Sequence, residues 1–299
     1  MVLFTSVRPL ERAENLKSVY DAFDGDKEFV QRRHDKPIDG MHSGRYSLMV
    51  TDGLIEDSPG KYIWVGHGMG AGKTIGLQHP VVPFKASNLV TYAIASSMET
   101  IPVVAGFCGI PEDRVIPLGM PRTDAYFKKR KKSHDKKQYL YTPTFRGYRD
   151  WIPDFDLIDS GLTGDEEFIV KPHMVTKHLP IGERLHVVER SSDIPSTDSL
   201  VDADVVITDF SSIMFDAMVL RKPIALFAKD RDKYQSVRGM YCPYPAFYSD
   251  CFSDNEVDLV RNLREVKWTP HMEELREYHA GACDGHSVER CVQLIKDTL

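Results

Sequence analysis

The sequence has no long hydrophobic segment. Nowhere do its 299 residues approach the roughly 20 consecutive apolar positions that a membrane-spanning helix needs. Residues 1–8 also turn polar too early to contain the apolar centre of a signal peptide. With 42% hydrophobic and 27% charged residues, the composition predicts a soluble, globular, cytoplasmic protein.

Patterns that pair cysteines or bind metals are also missing. The five cysteines are odd in number, widely spread and without a Cys-x-x-Cys pair. This arrangement favours reduced thiols over a disulfide framework or a zinc site. No two histidines stand four residues apart beside a carboxylate, as a zinc protease requires. We therefore expect no metal site, and the net charge of −6 argues against general nucleic-acid binding.

A complete phosphate-binding P-loop is absent as well, although residues 66–74 (GHGMGAGKT) resemble one. A P-loop needs glycine five positions before the glycine of Gly-Lys-Thr, and His67 occupies that position. What remains is a glycine-rich turn after the apolar segment 62–65, with His67 at its tip. A histidine at the end of a strand is well placed for chemistry in a doubly wound sheet. The alternative is a loop histidine without a role.

What the chain does contain is an alternation of strand-like and helix-like segments in two blocks, which predicts an α/β protein with mostly parallel sheets. Helices are predicted at 13–23, 273–279 and 288–299. The predicted strands are residues 2–5, 47–50, 62–65, 89–95, 115–118, 139–142, 168–170, 185–188, 205–207 and 224–227.

The two blocks are separated by residues 128–137 (KKRKKSHDKK), which contain seven Lys or Arg. We predict domains at 1–134 and 135–299, which leaves room for the last helix to pack back on the first domain. The basic run itself has three interpretations. A solvated linker is favoured, attraction to an anionic bilayer is second, and nucleic-acid contact is third because aromatic residues are not interleaved.

The most informative segment is 204–216 (DVVITDFSSIMFD). Its β-branched run 205–207 is typical of a buried parallel strand, and apolar residues after the turn recur at helical spacing. Ser211 or Ser212 stands where the helix N-cap belongs, so backbone N–H groups and hydroxyls could bind an anion there. An ordinary strand–loop–helix unit with a serine cap is the alternative.

A second strand-end histidine follows the apolar run 168–170. Alternation puts Lys171 and His173 on the same side of the chain, and Pro172 ends the strand. Two strand-end histidines from two domains, His67 and His173, could therefore face each other across a cleft.

Taken in order, these segments resemble the CDP-glycerol glycerophosphotransferase family of teichoic acid synthesis. The turn at His67 departs from the family's His-Gly-Thr-Pro-Leu-Lys, because Met69 replaces threonine and Gly-Ala-Gly replaces Pro-Leu-Lys. Pro172 also precedes the histidine instead of following it. The segments that carry the resemblance are 67–73, 119–124, 142–146, 171–174, 203–212, 221–224, 234–239 and 284–290. The motif residues they contain include Gly68, Arg122, Asp124, Thr208, Asp209, Arg238 and Ser287.

The resemblance implies a GT-B fold, in which two Rossmann-like domains enclose a cleft and the second domain holds the nucleotide donor. It also implies transfer of an alditol phosphate from a CDP donor to a lipid-linked or polymeric acceptor, with release of CMP and without a cofactor or metal. Peripheral contact with the inner face of the plasma membrane would suit such an acceptor. The residues then take three roles: catalysis by His67 and His173, donor phosphate binding by Ser211, Ser212, Lys171 and Arg146, and nucleoside binding by Ser192, Asp193 and Ile194.

Two alternatives stay open at this point. A GT-B glycosyltransferase or epimerase would use a UDP-sugar in place of a CDP donor. A nucleotide-binding module that lost catalysis would explain the altered turn at His67.

Overall fold

The computed structural model describes residues 1–32, 44–53, 60–66, 68–72, 90–144, 152–171, 182–187, 196–237 and 239–299, except for the side chains of 196, 197 and 237. Its contacts divide the chain into two compact units. Unit 1 comprises Met1–Ala71, Ile75–Phe127 and Glu277–Leu299. Unit 2 comprises Gly72–Thr74 and Lys128–Arg276.

Within the described residues, strands and helices alternate along much of the chain. The strands are β1 (Val2–Ser6), β2 (Lys27–Gln31), β3 (Leu48–Thr51), β4 (Tyr62–Trp64), β5 (Val90–Ile94), β6 (Val115–Ile116), β7 (Lys137–Tyr141), β8 (Glu166–Val170), β9 (Leu185–Val187), β10 (Val205–Thr208), β11 (Ile224–Phe227) and β12 (Cys251–Ser253). The helices are α1 (Glu14–Ala22), α2 (Ile101–Cys108), α3 (Phe155–Gly161), α4 (Ser196–Asp202), α5 (Ile213–Val219), α6 (Arg231–Val237), α7 (Glu256–Glu265), α8 (Pro270–Ala280) and α9 (Ser287–Thr298).

Unit 1 contains a six-stranded parallel sheet in the order β2-β1-β3-β4-β5-β6. Strands β1, β3 and β4 are buried along their whole length, which is typical of strands covered on both faces. The apolar core on one face of the sheet joins Leu3, Tyr62 and Val90 to Ala105 and Cys108 of α2. The carboxyl ends of all six strands lie at the same edge of the sheet, because the strands are parallel.

Unit 2 contains a second six-stranded parallel sheet, in the order β12-β11-β10-β7-β8-β9. Strands β10 and β11 are buried at every position. The core joins Tyr139, Phe168 and Ile207 of the sheet to Leu259 and Leu263 of α7. Two parallel sheets, each with helices packed on it, bear out the predicted α/β class.

The division into units differs in detail from the domain boundary that the composition predicts. Unit 1 ends at Phe127 and takes back Glu277–Leu299, whereas the predicted boundary follows residue 134. The reason is that α9 packs on α1, so residues 277–299 belong to the same unit as residues 1–71. Independent folding of the parts 1–134 and 135–299 stays a prediction.

The basic run 128–137 lies in unit 2, where acidic side chains accompany it. Lys129 pairs with Asp198 and Lys131 with Asp204. Partial burial opposes ionisation of Asp204, but hydrogen bonds from the Gln138 amide and from Lys131 outweigh it and lower the pKa of this carboxyl. These pairs reduce the net positive field of the run, although each exposed pair stabilises the fold by less than about 1 kcal/mol.

Two further pairs, Lys132 with Asp202 at 3.3 Å and Lys136 with Glu167 at 3.5 Å, extend this neutralisation. In the part of the chain that the structure describes, no carboxylate lies within ion-pair distance of Lys128 or Arg130. The uncompensated charge of the run therefore lies on Lys128 and Arg130, at its beginning, and on the half-buried Lys137, whose ammonium lies 3.5 Å from the Leu263 carbonyl.

No helix among the described residues is both long enough and apolar enough to cross a bilayer. All five cysteines carry free thiols. Burial raises the pKa of the Cys108 thiol to about 12 and that of Cys251 to about 11, so neither is a reactive thiolate near neutral pH.

Candidate functional site

In unit 1, the chain turns sharply at the carboxyl end of β4, just before His67. The side-chain amide of Asn15, on α1, donates hydrogen bonds to the carbonyls of Val65 (3.4 Å) and Gly66 (3.1 Å). Gly66 has a φ of +60°, and a Cβ there would lie 3.0 Å from the Trp64 ring. Glycine is therefore required at position 66, and a buried side chain fixes the chain on the amino-terminal side of His67.

The other side of the turn is also held by buried polar side chains. The amide of Gly70 donates to Ser96 Oγ (3.0 Å), and the amide of Ala71 donates to His279 Nδ1 (3.2 Å). Ser96 follows β5 and is 2% exposed, and His279 on α8 is fully buried. A P-loop presents such amides to phosphate, whereas here two of them bond to side chains of the protein. The structure thus agrees with rejecting the P-loop interpretation.

Ser96 and His279 are also bonded to each other. Ser96 Oγ donates to the His279 carbonyl at 2.6 Å, so one hydroxyl joins the turn to α8. The hydrogen bond from Ala71 to His279 Nδ1 requires the imidazole tautomer that carries its proton on Nε2.

The motif residue Arg122 is joined to the same turn through Asn15. The Arg122 amide donates to Asn15 Oδ1 at 3.1 Å, while Asn15 Nδ2 bonds to the turn. One buried asparagine therefore satisfies backbone groups of Gly66 and Arg122, which are 56 residues apart in the sequence. Asn15 is not evident from the motifs, and its only sequence signal is a polar residue on the apolar face of α1.

Asp124, another motif residue, serves as a helix cap. Its carboxylate accepts hydrogen bonds from the amides of Ser287 (3.1 Å) and Val288 (2.7 Å) at the start of α9. A carboxylate at this end of a helix is favourable because it satisfies free N–H groups and opposes the helix dipole. Asp124 and Ser287 thus hold α9 within unit 1.

Gly119 and Arg290 complete this contact between the two motifs. Gly119 has a φ of +79°, and a Cβ would lie 2.3 Å from both Ser287 Oγ and the Ala282 carbonyl. Arg290 donates to the Leu118 and Ala282 carbonyls and pairs with Asp284, whose pKa it lowers. The segments 119–124 and 284–290 are therefore two halves of one structural contact.

In unit 2, the candidate site lies at the carboxyl ends of the parallel strands, and β10 contributes the first part of it. Thr208 Oγ1 donates to the Thr142 carbonyl at 2.7 Å, which joins β10 to the neighbouring β7. The Asp209 carboxylate is fully buried and accepts from the amides of Phe210 (2.6 Å) and Thr144 (2.9 Å). Thr208 and Asp209 therefore fix the loops that follow the two strands.

Ser211 and Ser212 follow at the start of α5, as the sequence predicts. Ser212 occupies the N-cap position, and its side chain makes no capping hydrogen bond. Ser211 Oγ lies 3.5 Å from the Ile213 amide, at the limit for a hydrogen bond. Both side chains are partly exposed. The amides of Met214 and Phe215 donate to the carbonyls of Ser211 and Ser212, at 3.2 and 3.1 Å. The two serine hydroxyls are therefore the groups at the start of this helix that suit an anion.

Aromatic rings pack around Phe210, the residue before Ser211. The rings of Phe210 and Tyr234 stack at 3.9 Å with an interplanar angle of 1°, and Tyr244 lies 4.8 Å from Phe210. Tyr234 begins the segment 234–239 of the family resemblance, so two of the matched segments meet in this stack. The stack fixes the backbone immediately before Ser211.

Lys171 lies at the same edge, two strands away from the serines. It follows β8, which neighbours β7, and its amide donates to the Tyr141 carbonyl at 2.9 Å. Adjacent strands are about 4.8 Å apart, so the ends of β10 and β8 are separated by about 10 Å. This span suits a ligand as large as a nucleoside diphosphate.

Several predicted site residues lie outside the described residues: His67, His173, Arg146, Ser192, Asp193, Ile194 and Arg238. Of the others, the structure brings Ser211, Ser212, Thr208 and Asp209 to one edge with Lys171. Gly68 lies in the unit 1 turn, on the carboxyl-terminal side of His67. Among the described residues, no cluster of three or more His, Cys, Asp or Glu could hold a metal ion.

Comparison with known proteins identifies the family. The sequence profile of the CDP-glycerol:poly(glycerophosphate) glycerophosphotransferases matches residues 17–297. The chain belongs to this family. The matched region contains the motif residues described above, including Arg122 and Arg290.

Two curated relatives show the range of named activities in the family. The chain is 28% identical over 259 residues to a teichoic acid poly(ribitol-phosphate) polymerase of Bacillus spizizenii, which covers 77% of this chain and 42% of the relative. It is 27% identical over 248 residues to a teichoic acid glycerol-phosphate primase of Bacillus subtilis, covering 74% and 65%. The chain spans about half the length of the first curated relatives that it matches.

Among solved structures, the wall teichoic acid polymerase TagF shares the fold with a TM-score of 0.78 and 18% identity. The likeness covers 100% of this chain and 89% of that one. A variant of TagF was also solved after soaking with CDPG. The predicted GT-B fold is confirmed by this likeness and by the two parallel sheets.

Proposed function

We propose that this glycerophosphotransferase family member transfers glycerol phosphate, or a related alditol phosphate, from a CDP donor to a hydroxyl of a lipid-linked or polymeric acceptor. The observation that carries the proposal is the family match over residues 17–297. Some relatives are named for glycerol phosphate and others for ribitol phosphate, so the proposal covers both alditols.

The reaction joins the acceptor oxygen to the phosphorus that carries the alditol. The bond from this phosphorus to the bridging oxygen of the pyrophosphate breaks, and CMP leaves with the electron pair. The proton of the attacking hydroxyl passes to His67, since an imidazole with a pKa near neutrality is a suitable general base. Asn15, Ser96 and His279 support this role by fixing the backbone on either side of His67.

Negative charge grows on the departing CMP and needs hydrogen-bond donors that are fixed in advance. The hydroxyls of Ser211 and Ser212 are suited to this, because Asp209 and the Phe210 stack fix the backbone that precedes them. Lys171 and Arg146, with His173, add cationic or polar donors in the proposal. The Asp209 carboxylate is fully buried and accepts two amides, which supports a mechanism without a metal on this carboxylate.

The nucleoside is assigned to Ser192, Asp193 and Ile194, after β9. The sheet order supports this assignment, since β9 is the edge strand beyond β8 and leads away from the serines. A structure with bound CDP tests it directly. If the cytidine instead contacts the loops after β11 or β12, the assignment to Ser192, Asp193 and Ile194 is wrong.

The deciding experiment is a donor panel of CDP-glycerol, CDP-ribitol and UDP-sugars with lipid-linked acceptor analogues, scored by nucleotide release. We expect CMP from one or both CDP-alditols, no UDP, and an unchanged rate in EDTA. Release of UDP would support the UDP-sugar alternative. Binding of CDP-glycerol without CMP release would support a module that has lost catalysis, and restoration of an EDTA-abolished rate by magnesium would contradict the metal-free mechanism.

We also propose that the protein works at the cytoplasmic face of the membrane, in contact with anionic lipid. The basic run supports this, but most of its lysines have acidic partners. Lys128 and Arg130 are therefore expected to contribute most, at about 1 kcal/mol each.

Vesicle co-sedimentation tests this contact with lipid. The variant K128E/R130E should lose binding to vesicles containing phosphatidylglycerol, whereas K132E, whose lysine is paired with Asp202, should lose less. Equal binding of the wild type to neutral and anionic vesicles would contradict the proposal.

A further inference from the structure

The turn between β4 and Ala71 differs in kind from the family's turn described above. The family has proline and leucine where this chain has Gly70 and Ala71. Proline fixes φ near −65° and has no amide proton. Gly70 instead has a φ of +70° and donates its amide to Ser96 Oγ. A proline could adopt neither this conformation nor this hydrogen bond.

Replacing proline by glycine removes a constraint from the chain, because glycine loses more conformational freedom on folding than any other residue. Without a compensating interaction, the segment after His67 would populate several conformations. The interactions that compensate are the hydrogen bonds of Gly70 and Ala71 with Ser96 and His279. The constraint that proline supplies covalently is supplied here by two side chains.

Both side chains are costly to bury unless their polar atoms are bonded. Ser96 is 2% exposed and His279 is fully buried. Moreover, only the neutral imidazole can accept from the Ala71 amide at Nδ1, since a protonated ring would direct an N–H against it. An apolar residue would fill the same position of α8 without these requirements. The hydrogen bonds to the Gly70 and Ala71 amides therefore explain why Ser96 and His279 are polar.

We propose that Ser96 and His279 are positioning residues for the transfer reaction. By fixing the peptide groups of Gly70 and Ala71, they set the backbone of the turn that presents His67. The proposal rests on the function proposed above, in which His67 accepts the proton. It also explains how the altered glycine turn supports activity without the family's proline.

The neighbouring serine provides a matched control. Ser97 Oγ donates to the Tyr278 carbonyl at 2.6 Å, as Ser96 Oγ donates to the His279 carbonyl at 2.6 Å. Both serines are buried and both bind α8, but only Ser96 accepts an amide of the turn. Ser97 Oγ also accepts from the Thr100 amide at 3.2 Å, so Ser97→Ala removes local hydrogen bonds as Ser96→Ala does but leaves the contact with the turn in place.

We expect S96A to lower kcat by about 10-fold or more, because small displacements of a catalytic group have large effects on rate. The KM for the CDP donor should change less than about twofold in S96A, since the donor phosphates are assigned to unit 2. S97A should keep kcat within about twofold of the wild type. Similar falls in Tm for both variants, with equal kcat values, would overturn the proposal and leave the bonds a purely structural role.

Position 279 gives an independent pair of variants. His279→Asn keeps an acceptor near the position of Nδ1, whereas His279→Leu removes it and keeps an apolar side chain of moderate size. H279N should retain most of kcat, and H279L should lose about 10-fold or more. If H279L fails to fold, the serine pair still decides.

Hydrogen exchange of a peptide covering residues 68–72, measured without substrate, separates this proposal from the proposed function. Exchange should accelerate in S96A and stay at the wild-type rate in S97A. Should the wild type release no nucleotide with any donor, the proposed function fails while the exchange result still tests the positioning of the turn. Equal exchange in both variants would overturn the positioning role.

Discussion

Replacing His67 by alanine is expected to lower the rate of CMP release by about 10²–10⁴-fold, the usual effect of removing a general base. The affinity for CDP-glycerol should stay close to that of the wild type, because the donor phosphates are assigned to Ser211 and Ser212 in unit 2. The measurement is single-turnover CMP release with saturating acceptor, together with calorimetric binding of the donor. Exogenous imidazole should restore part of the rate if the lost group is a base.

A matched control for this variant is His134→Ala. His134 lies in the basic run, is exposed, and has no role in the proposed mechanism. It should keep the wild-type rate. Turnover above about a tenth of wild type in H67A would remove His67 from the mechanism and return the turn to a structural role.

The double variant Ser211→Ala/Ser212→Ala is expected to weaken CDP-glycerol binding by about 1–3 kcal/mol, or about 5- to 150-fold. The reason is that Ser212 makes no capping bond and Ser211 only a marginal one, so both hydroxyls are available to phosphate oxygens. Lys171, which is also assigned to the donor phosphates, remains in the variant and should retain part of the affinity. Isothermal titration with CDP-glycerol and with CMP measures the loss.

CMP separates the contributions of the two phosphates in this experiment. Because the serines are assigned to the phosphate that leaves with CMP, the double variant should lose affinity for both CDP-glycerol and CMP. A loss of affinity for CDP-glycerol alone would assign the serines to the alditol-linked phosphate. The control is Ser160→Ala/Ser236→Ala, since each of these exposed serines bonds only to a carbonyl of its own helix. Unchanged donor affinity in the Ser211/Ser212 variant would contradict the phosphate assignment.

Most strands could be predicted from sequence because buried parallel strands appear as short apolar runs. The two strands that the sequence pattern does not reveal are β2 (KEFVQ) and β12 (CFS), and both lie at the edge of a sheet. The residues of β2 are only partly buried or exposed, so polar side chains are tolerated and no apolar run develops. With three residues, β12 is too short to show a period. Edge position and length, and not an unusual conformation, account for both omissions.

The candidate site divides in a similar way. Strand-end residues such as Ser211 and Thr208 are visible in sequence because their spacing from the strand is local. Asn15, Ser96 and His279 are not visible, because their partners are backbone atoms 51, 26 and 208 residues away. Only the assembled sheet brings these groups together. Asp124 belongs to both classes, since its motif is visible but its capping of α9 is not.

Unit 1 is assembled from parts that translation supplies far apart. The amides that Asp124 accepts, from Ser287 and Val288, follow it by 163 and 164 residues. Apart from Gly72–Thr74, unit 2 is continuous from Lys128 to Arg276 and is synthesised in between. A nascent chain stalled before Glu277 therefore carries all the described strands of both sheets but lacks α9. The face of α1 that packs on α9 therefore remains uncovered on the ribosome until α9 emerges.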